Sequence, residues 1–467
     1  MAGLQVITIE TPSLGDRSYI AHDGAKAVVI DPQRDIDRVL HHIENLGLDV
    51  THVLETHVHN DYVTGGYELA HKTGATYVLN AADELFFDAH GVVDGDRLTV
   101  GSLDVRVMHT PGHTPTHLSY IVTDGTTTSA FTGGSLLYGS VGRTDLISRA
   151  MADELTRHQF ATAQRLAAEL ADDVTVLPTH GFGSFCSSAA ADAQTADVDP
   201  RYGVATSTIG QQRLENIALT ITDEETFVST ILSGLDAYPR YYAHMAPRNR
   251  TGPDPVDLSP PMPADASELA ARIHAGEWVV DLRSRTAYAK DHVVGTVNIE
   301  VTDSLVTYLA WLIPWGLPVT LIGDTAEEVA EAQRQLARVG IDRPAAAATG
   351  GIERWGEGLG RGSFRVSDYA ELAALRSAAS DDGPYVLDVR RDDERRNRAI
   401  IGSQHVPLHQ LTRRALEVPA DRDVWVHCAG GYRASIAASL LVRAGRRPVL
   451  IDDDEQRIST LGLDRVA

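Results

Sequence analysis

Two histidines and a carboxylate crowd one short stretch, Thr56-His57-Val58-His59-Asn60-Asp61-Tyr62, directly after the apolar pair Val53-Leu54. Neutral imidazoles and a hard oxygen this close together suit a divalent metal ion. A second histidine-bearing turn follows at His109-Thr-Pro-Gly-His113, and a third histidine ends the run Val176-Leu-Pro-Thr-His180. A single histidine reads as a hydrogen-bonded core group, but His57, His59, His113 and His180 together read as a metal centre. Far downstream, Cys428-Ala429-Gly430-Gly431-Tyr432-Arg433 lies between apolar Val424–Val426 and a helix beginning near Ala434. A thiol at such a junction faces backbone N–H groups and the positive end of the helix, both of which stabilise a thiolate. Gly430 and Gly431 let the loop curl around the sulfur, and Arg433 adds positive charge. A loop of this kind can carry a sulfane sulfur as a cysteine persulfide.

The elements that must hold these groups follow from periodicity. Lys26–Pro32 reads as a buried strand ending in a turn, and Asp35–Leu46 has helical apolar spacing. Short β-rich runs, Leu103–Met108 and His117–Val122 among them, are separated by Gly, Pro and Asp. Arg149–Ala171 reads as a helix, and Thr222 with Glu225 forms a capping box opening another over 224–235. An αββα sandwich over residues 1–245 accommodates this order. Between Ala246 and Pro263 the prolines 247, 253, 255, 260, 261 and 263 predict an extended connector without helix.

Beyond the connector the chain repeats itself. Trp278-Val-Val-Asp281-Leu-Arg283 matches Tyr385-Val-Leu-Asp388-Val-Arg390, with Gly295 and Gly402 at the same interval behind. Residues 318–340 align without gaps to residues 423–445, each a strand, a loop and a helix ending in Gly. Two copies of one α/β domain are predicted, at 264–360 and 363–467. In the first copy Gly323 replaces Cys428 and Glu328 replaces Arg433, so the nucleophile is absent and the charge reversed. That copy is expected to be catalytically silent, a packing or docking element.

Composition narrows the function classes. A length of 467 residues suggests about three domains. A net charge of −23 argues against nucleic-acid binding, which needs basic patches. No apolar run approaches the ~18 residues of a membrane helix, and the N-terminus lacks a signal-peptide pattern. The two cysteines, Cys186 and Cys428, fall in different predicted domains, which argues against a structural disulfide and for a reducing, cytoplasmic setting.

The Thr56–Tyr62 motif with His113 and His180 resembles the metallo-β-lactamase superfamily, and the six-residue loop from Cys428 to Arg433 resembles the rhodanese family. With the segment Tyr238–Asn249, nearly the full length resembles the persulfide dioxygenase–rhodanese fusions. The superfamily motif ends in a histidine that helps to bind a second metal, and Tyr62 stands in its place. The resemblance implies one Fe(II) per chain, held by two histidines and one aspartate. His57 and His113 would be the histidine ligands, with His59, Asp61 and His180 as possible ligands or supports. The family aspartate is missing, for Gly134 occupies its position in Phe131-Thr-Gly-Gly134-Ser135. Zn(II), or no metal, is therefore an alternative to iron. Cys428 would be the nucleophile, Arg433 its charged partner, and Ala429, Gly430, Gly431 and Tyr432 the sulfur-binding loop. Cys186, Arg143 and Tyr62 are candidate substrate contacts, although Arg143 and Asp145 suit a loop-supporting ion pair better. The reaction implied oxidises a thiol persulfide such as glutathione persulfide with O2, giving sulfite, which the rhodanese loop converts to thiosulfate. A glyoxalase-II-like thioester hydrolase, and a metal-free persulfide-binding domain serving a sulfurtransferase, are the competing readings. Small-molecule partners and an assembly of identical chains are expected, without membrane or nucleic-acid partners.

Overall fold

The computed structural model describes residues 3–181, 183–188, 197–199, 204–378 and 383–464. The chain forms two units, Met1–Val256 with Ala337–Gly340, and Asp257–Leu336 with Ile341–Ala467.

The first unit is built on two facing sheets. One runs in chain order, β1 (Gln5–Thr11), β2 (Asp16–His22), β3 (Lys26–Ile30), β4 (Asp49–Leu54), β5 (Thr76–Asn80) and β6 (His90–Val92), antiparallel through β3 and parallel after it. The other contains β7 (Arg97–Val100), β8 (Leu103–His109), β9 (Leu118–Thr123), β10 (Thr128–Gly133), β11 (Thr175–Pro178), β12 (Asp197–Asp199) and β13 (Val204–Thr208), in the order β12-β13-β11-β10-β9-β8-β7. Side chains alternate across a strand, so Leu103, Val105 and Val107 face inward with Leu118, Tyr120 and Val122. They meet Tyr19, Ala21, Val28 and Ile30 of the opposite sheet. The alternate residues Ala27 and Val29 face outward onto Val39 and Ile43 of the helix Asp37–Leu46 and Leu69 of the helix Gly66–Thr73. On the other outer face Ile121 and Ala130 meet Ala163 and Leu166 of the helix Ala152–Glu169. Helix, sheet, sheet, helix is the layer order predicted.

Two local readings need correction. The helix Glu224–Gly234 is capped by Asp223 rather than Thr222: the Asp223 carboxylate accepts the Thr226 N–H at 2.8 Å. The stretch read as a helix-free connector begins inside a helix, Tyr242–Thr251, which contains Pro247. One proline costs this helix one backbone hydrogen bond. Asn249 compensates, since its amide donates to the carbonyls of His59 and Tyr62, both at 2.9 Å, and accepts the Thr64 N–H at 2.9 Å.

The second unit holds two similar parallel sheets. One orders Val297–Asn298, Trp278–Asp281, Val319–Ile322 and Ala346–Ala348. The other orders Arg365–Ser367, Arg447–Ile451, Asp423–His427, Tyr385–Asp388 and Gln404–His405. The repeat extends to side chains. Arg283 closes on Asp281 with contacts of 3.0 and 2.6 Å, and Arg390 on Asp388 with 3.0 and 2.8 Å, all buried.

Candidate metal centre and sulfur-transfer loop

Where the strands of the first unit end, the buried histidines His57, His59, His113, His117 and His180 pack against one another. Hydrogen bonds fix the orientation of three of them. His113 Nδ1 lies 2.7 Å from the Arg143 carbonyl, an acceptor, so it carries the proton. Its Nε2 is a buried lone pair without a hydrogen-bond partner. The Thr56 hydroxyl donates to Asp31 at 2.7 Å, so it accepts from His57 Nδ1 at 2.9 Å, and His57 Nε2 is free to ligate. His180 Nδ1 is 2.9 Å from Asp16 Oδ1, which turns its Nε2 inward to 3.4 Å from His57 Nε2. Two nitrogens bound tetrahedrally to one metal at ~2.0–2.1 Å stand roughly 3.4 Å apart. One donor atom each from His57, His113 and His180 falls within 4.8 Å of the others. Burial and mutual repulsion hold the basicity of His57 and His113 well below the ordinary histidine value, and burial also lowers His180. Neutral imidazoles are the form that binds metal.

Asp31 organises this arrangement, and sequence reading did not single it out. It directly follows β3 with φ +49°, the one non-glycine residue at positive φ among the described residues. Its carboxylate accepts the Thr56 N–H and hydroxyl, both at 2.7 Å, and the Thr179 hydroxyl. One side chain therefore holds the residues preceding His57 and His180. Burial raises the pKa of Asp31, but the charge and hydrogen bond of His59 and the Thr donors outweigh it and bring the pKa to about 2. His59 Nε2 contacts Asp31 at 3.2 Å and Glu55 at 3.1 Å, and these carboxylates overcome burial and raise its pKa well above the usual value. Tyr62 stacks on His59 and places its hydroxyl 2.9 Å from Nε2. His59 Nδ1 and both Asp61 oxygens are buried without hydrogen-bond partners. Asp61 Oδ2 also lies 3.3 Å from His180 Nδ1. Burial first, then repulsion from Asp16, raises Asp61 to about 7.

Other predicted residues have defined places. Arg143 clasps Asp145 at 2.7 and 2.9 Å and donates to the Phe185 and Asp236 carbonyls, which makes it a loop brace. Cys186 is fully buried with Sγ 3.8 Å from the Tyr242 hydroxyl, and burial pushes its thiol pKa well up. His117, also missed, accepts the Gly134 N–H on Nε2 at 2.9 Å, and burial lowers it to about 3.

In the second unit Cys428 follows the strand Asp423–His427 and precedes the helix Tyr432–Arg443. Gly431 caps that helix at φ +85°, where a Cβ would strike the Asp452 carboxylate. Cys428 is 2% exposed. The Arg433 guanidinium is taken up by Glu394, with contacts of 2.5 and 2.6 Å. Behind the loop the Tyr369 hydroxyl donates to the Cys428 carbonyl at 2.9 Å and sits 3.2 Å from His427 Nδ1. Burial lowers His427 to about 4 against the opposing pull of Asp388. A cavity of about 590 Å³ opens at Ala429 and Gly430, walled by Arg285 and by Asp452 through Gln456.

Residues 16–181 match the family model of the metallo-beta-lactamase superfamily, and residues 265–357 and 369–454 each match that of the rhodanese-like domain. The chain is a metallo-beta-lactamase-superfamily domain fused to two rhodanese-like domains. Its domain order is that of the persulfide dioxygenase–rhodanese fusions. A hydroxyacylglutathione hydrolase of Rhodospirillum rubrum is 36% identical over 117 residues, 25% of this chain and 44% of that protein. Human mitochondrial persulfide dioxygenase ETHE1 is 28% identical over 214 residues, 45% of this chain and 72% of that protein. The chain thus spans less than half the length of the first relative and about three quarters of the second. A structure titled as a metallo-beta-lactamase from Staphylococcus aureus superposes with a TM-score of 0.64 at 26% identity, over 75% of this chain and 99% of that one.

Two departures become physical in this setting. In the metallo-beta-lactamase-like domain a Cβ on Gly134 would lie 2.6 Å from His113 Cγ and 2.9 Å from Nε2, so the ring fills the space an aspartate would need. His180 instead completes, with His57 and His113, a group of three residues that could hold a metal ion. In the first rhodanese-like copy the Glu328 carboxylate accepts the N–H groups of Asp324 at 2.7 Å and Thr325 at 3.2 Å. An internal anion thus occupies loop amides that the second copy leaves for its cysteine. No helix among the described residues is long and apolar enough to cross a membrane.

Proposed function

We propose that this chain acts in persulfide metabolism, oxidising a low-molecular-weight thiol persulfide to sulfite in its first unit and moving sulfane sulfur through Cys428 in its second. The observation carrying the first half is the convergence of one ring nitrogen each from His57, His113 and His180, while their Nδ1 atoms are engaged by Thr56, the Arg143 carbonyl and Asp16. Three imidazoles suit iron and zinc alike. Bound there by His57, His113 and His180, Fe(II) would supply the redox chemistry that lets O2 react with a persulfide sulfur. The balanced reaction is RSSH + O2 + H2O giving RSH and H2SO3.

The protein's own groups prepare the site. Arg143, Thr56 and Asp16 fix the imidazole tautomers, Asp31 holds the backbone before two of the ligands, and the tight packing excludes bulk water. Asp61, buried with Oδ2 3.3 Å from His180 Nδ1, serves in this reading as a proton acceptor. In the second unit the Cys428 thiolate takes a sulfane sulfur and passes it to sulfite. The outer S–S bond breaks, thiosulfate forms, and the bond electrons return to Cys428 as thiolate. Glutathione as carrier, a cytoplasmic setting and assembly of identical chains belong to the same reading.

The 36% identity to a hydroxyacylglutathione hydrolase favours a second reading, thioester hydrolysis. Tyr62 and Gly134 count against it, since neither can ligate the second metal of a binuclear site as imidazole and carboxylate do. Elemental analysis after anaerobic Fe(II) loading, paired with O2 uptake on glutathione persulfide, separates these. About one iron per chain with persulfide-dependent uptake is expected. Bound zinc with thioester turnover, and no uptake, would replace this reading with the hydrolase.

A further inference from the structure

The silent rhodanese-like copy lies against the sulfur loop of the active one. Its helix Leu305–Leu312 presents Tyr308, whose ring centroid is 6.0 Å from that of Tyr432, inside the Cys428–Arg433 loop. One turn on, Trp311 stacks on His409 of the active copy at 4.9 Å. Further contacts seat the two copies together. The Tyr432 hydroxyl donates to the Glu300 carbonyl at 2.9 Å, Ser435 donates to Asn298 Oδ1 at 2.7 Å, and Arg285 meets Asp452 at 2.7 Å.

Within this seam the polar side chains of the loop are committed, which leaves its backbone amides for the cysteine sulfur. Both terminal nitrogens of Arg433 are spent on Glu394. Tyr432 is spent on Glu300, and Tyr369 on the backbone behind the cysteine. The Tyr308 hydroxyl, by contrast, makes no hydrogen bond among the described residues, and its ring alone is engaged, by Trp311 and Tyr432. Its electrostatic neighbours are Arg433, Arg391, Glu394 and Cys428, and burial raises its pKa, so it remains a protonated donor at neutral pH.

We propose that Tyr308 of the silent copy is the sulfur-positioning residue of the active copy, its hydroxyl donating a hydrogen bond to the anionic sulfur species transferred at Cys428. This rests on the reading of Cys428 as the sulfur carrier. With thiosulfate as donor, the Cys428 thiolate attacks the outer sulfur. The S–S bond to the sulfonate breaks, sulfite leaves with the electron pair, and Cys428 bears a persulfide anion. A neutral donor adds directionality where Arg433 and Arg391 already share Glu394, and hydrogen bonds to charged groups are the stronger ones.

The test is Tyr308→Phe in the full chain, which keeps the ring and its stacking. Persulfide loading of Cys428 is followed by intact mass after thiosulfate addition, and turnover by thiocyanate formation from thiosulfate and cyanide. The expected result is a fall of about tenfold or more in loading rate and in kcat/KM. Alkylation of Cys428 by iodoacetamide, which brings no anion, should stay within about twofold of wild type. Loading at the wild-type rate in Tyr308→Phe would overturn the inference. So would an equal fall in alkylation, which would mark Tyr308 as structural. If the wild-type chain loads no sulfur that Cys428→Ser abolishes, the carrier reading fails and this inference falls with it.

Discussion

At the residue scale, the proposed metal site depends on which nitrogen of each histidine is free, and that is set by its neighbour. Thr56 carries the His57 tautomer because its own proton is committed to Asp31. Replacing Thr56 with Val removes the acceptor for His57 Nδ1–H. A loss of about 10- to 100-fold in metal affinity, read by metal competition at equal protein folding, is expected. His427 provides a pH signature in the second unit. Its folded pKa of about 4 lies below the ~6.5 of an unfolded histidine, so the unfolded chain binds the proton more readily. Stability is complete above about pH 6.5 and falls as pH drops toward 4, by roughly 3 kcal/mol for this group. Urea unfolding at pH 7 and pH 4.5 measures the fall, and His427→Gln should flatten it. An unchanged slope in that variant would assign the dependence to other groups.

At the element scale, the turn after β10 is as consequential as the ligands. Gly133 at φ +54° and Gly134 bring the backbone against Thr56, His117 and His113. Alanine at 134 drives a methyl group into the His113 ring. Gly134→Ala is therefore expected to lower metal content severalfold, because His113 must swing away from His57 and His180. Full metal retention would show that the ring can yield without cost. The helix Tyr242–Thr251 acts comparably, since Asn249 ties the backbone of His59 and Tyr62. Its proline hid it from sequence patterning, which weighs propensity and cannot see a tertiary clasp.

At the scale of the whole molecule, the candidate metal centre and the cysteine loop lie in different compact units, so the proposed activities are expected to be separable. Removing metal with a chelator should abolish persulfide-dependent O2 uptake while Cys428-dependent thiocyanate formation persists within about twofold. Conversely, Cys428→Ser should abolish sulfur transfer and leave O2 uptake in place. Loss of both activities on chelation alone would tie Cys428 to the metal.

The sequence by itself determined the layer order, the internal repeat, the sulfur loop and the histidine cluster. Each is written in local periodicity or short spacing: alternation in β8 and β9, Asp281-Leu-Arg283 against Asp388-Val-Arg390, and Cys428 six residues through Arg433. Whatever joins distant segments was decided by the tertiary structure. His180 joins His57 and His113 as a candidate third donor because β11 runs beside β10 and Asp16 turns its ring. Asp31, at the end of an ordinary apolar strand, gains its role from Thr56 and Thr179, and nothing local but its following proline marks it. Arg433, read as the charged partner of Cys428, is met by Glu394 of the short helix Asp392–Asn397, a contact only the tertiary structure makes. The first copy's loop is closed by its own Glu328, and the place of Tyr308 beside Tyr432 of the second copy's loop follows from the packing of one repeat on the other. Burial and hydrogen-bond direction are properties of the packed chain, and they decide which of these side chains retains a free proton or lone pair.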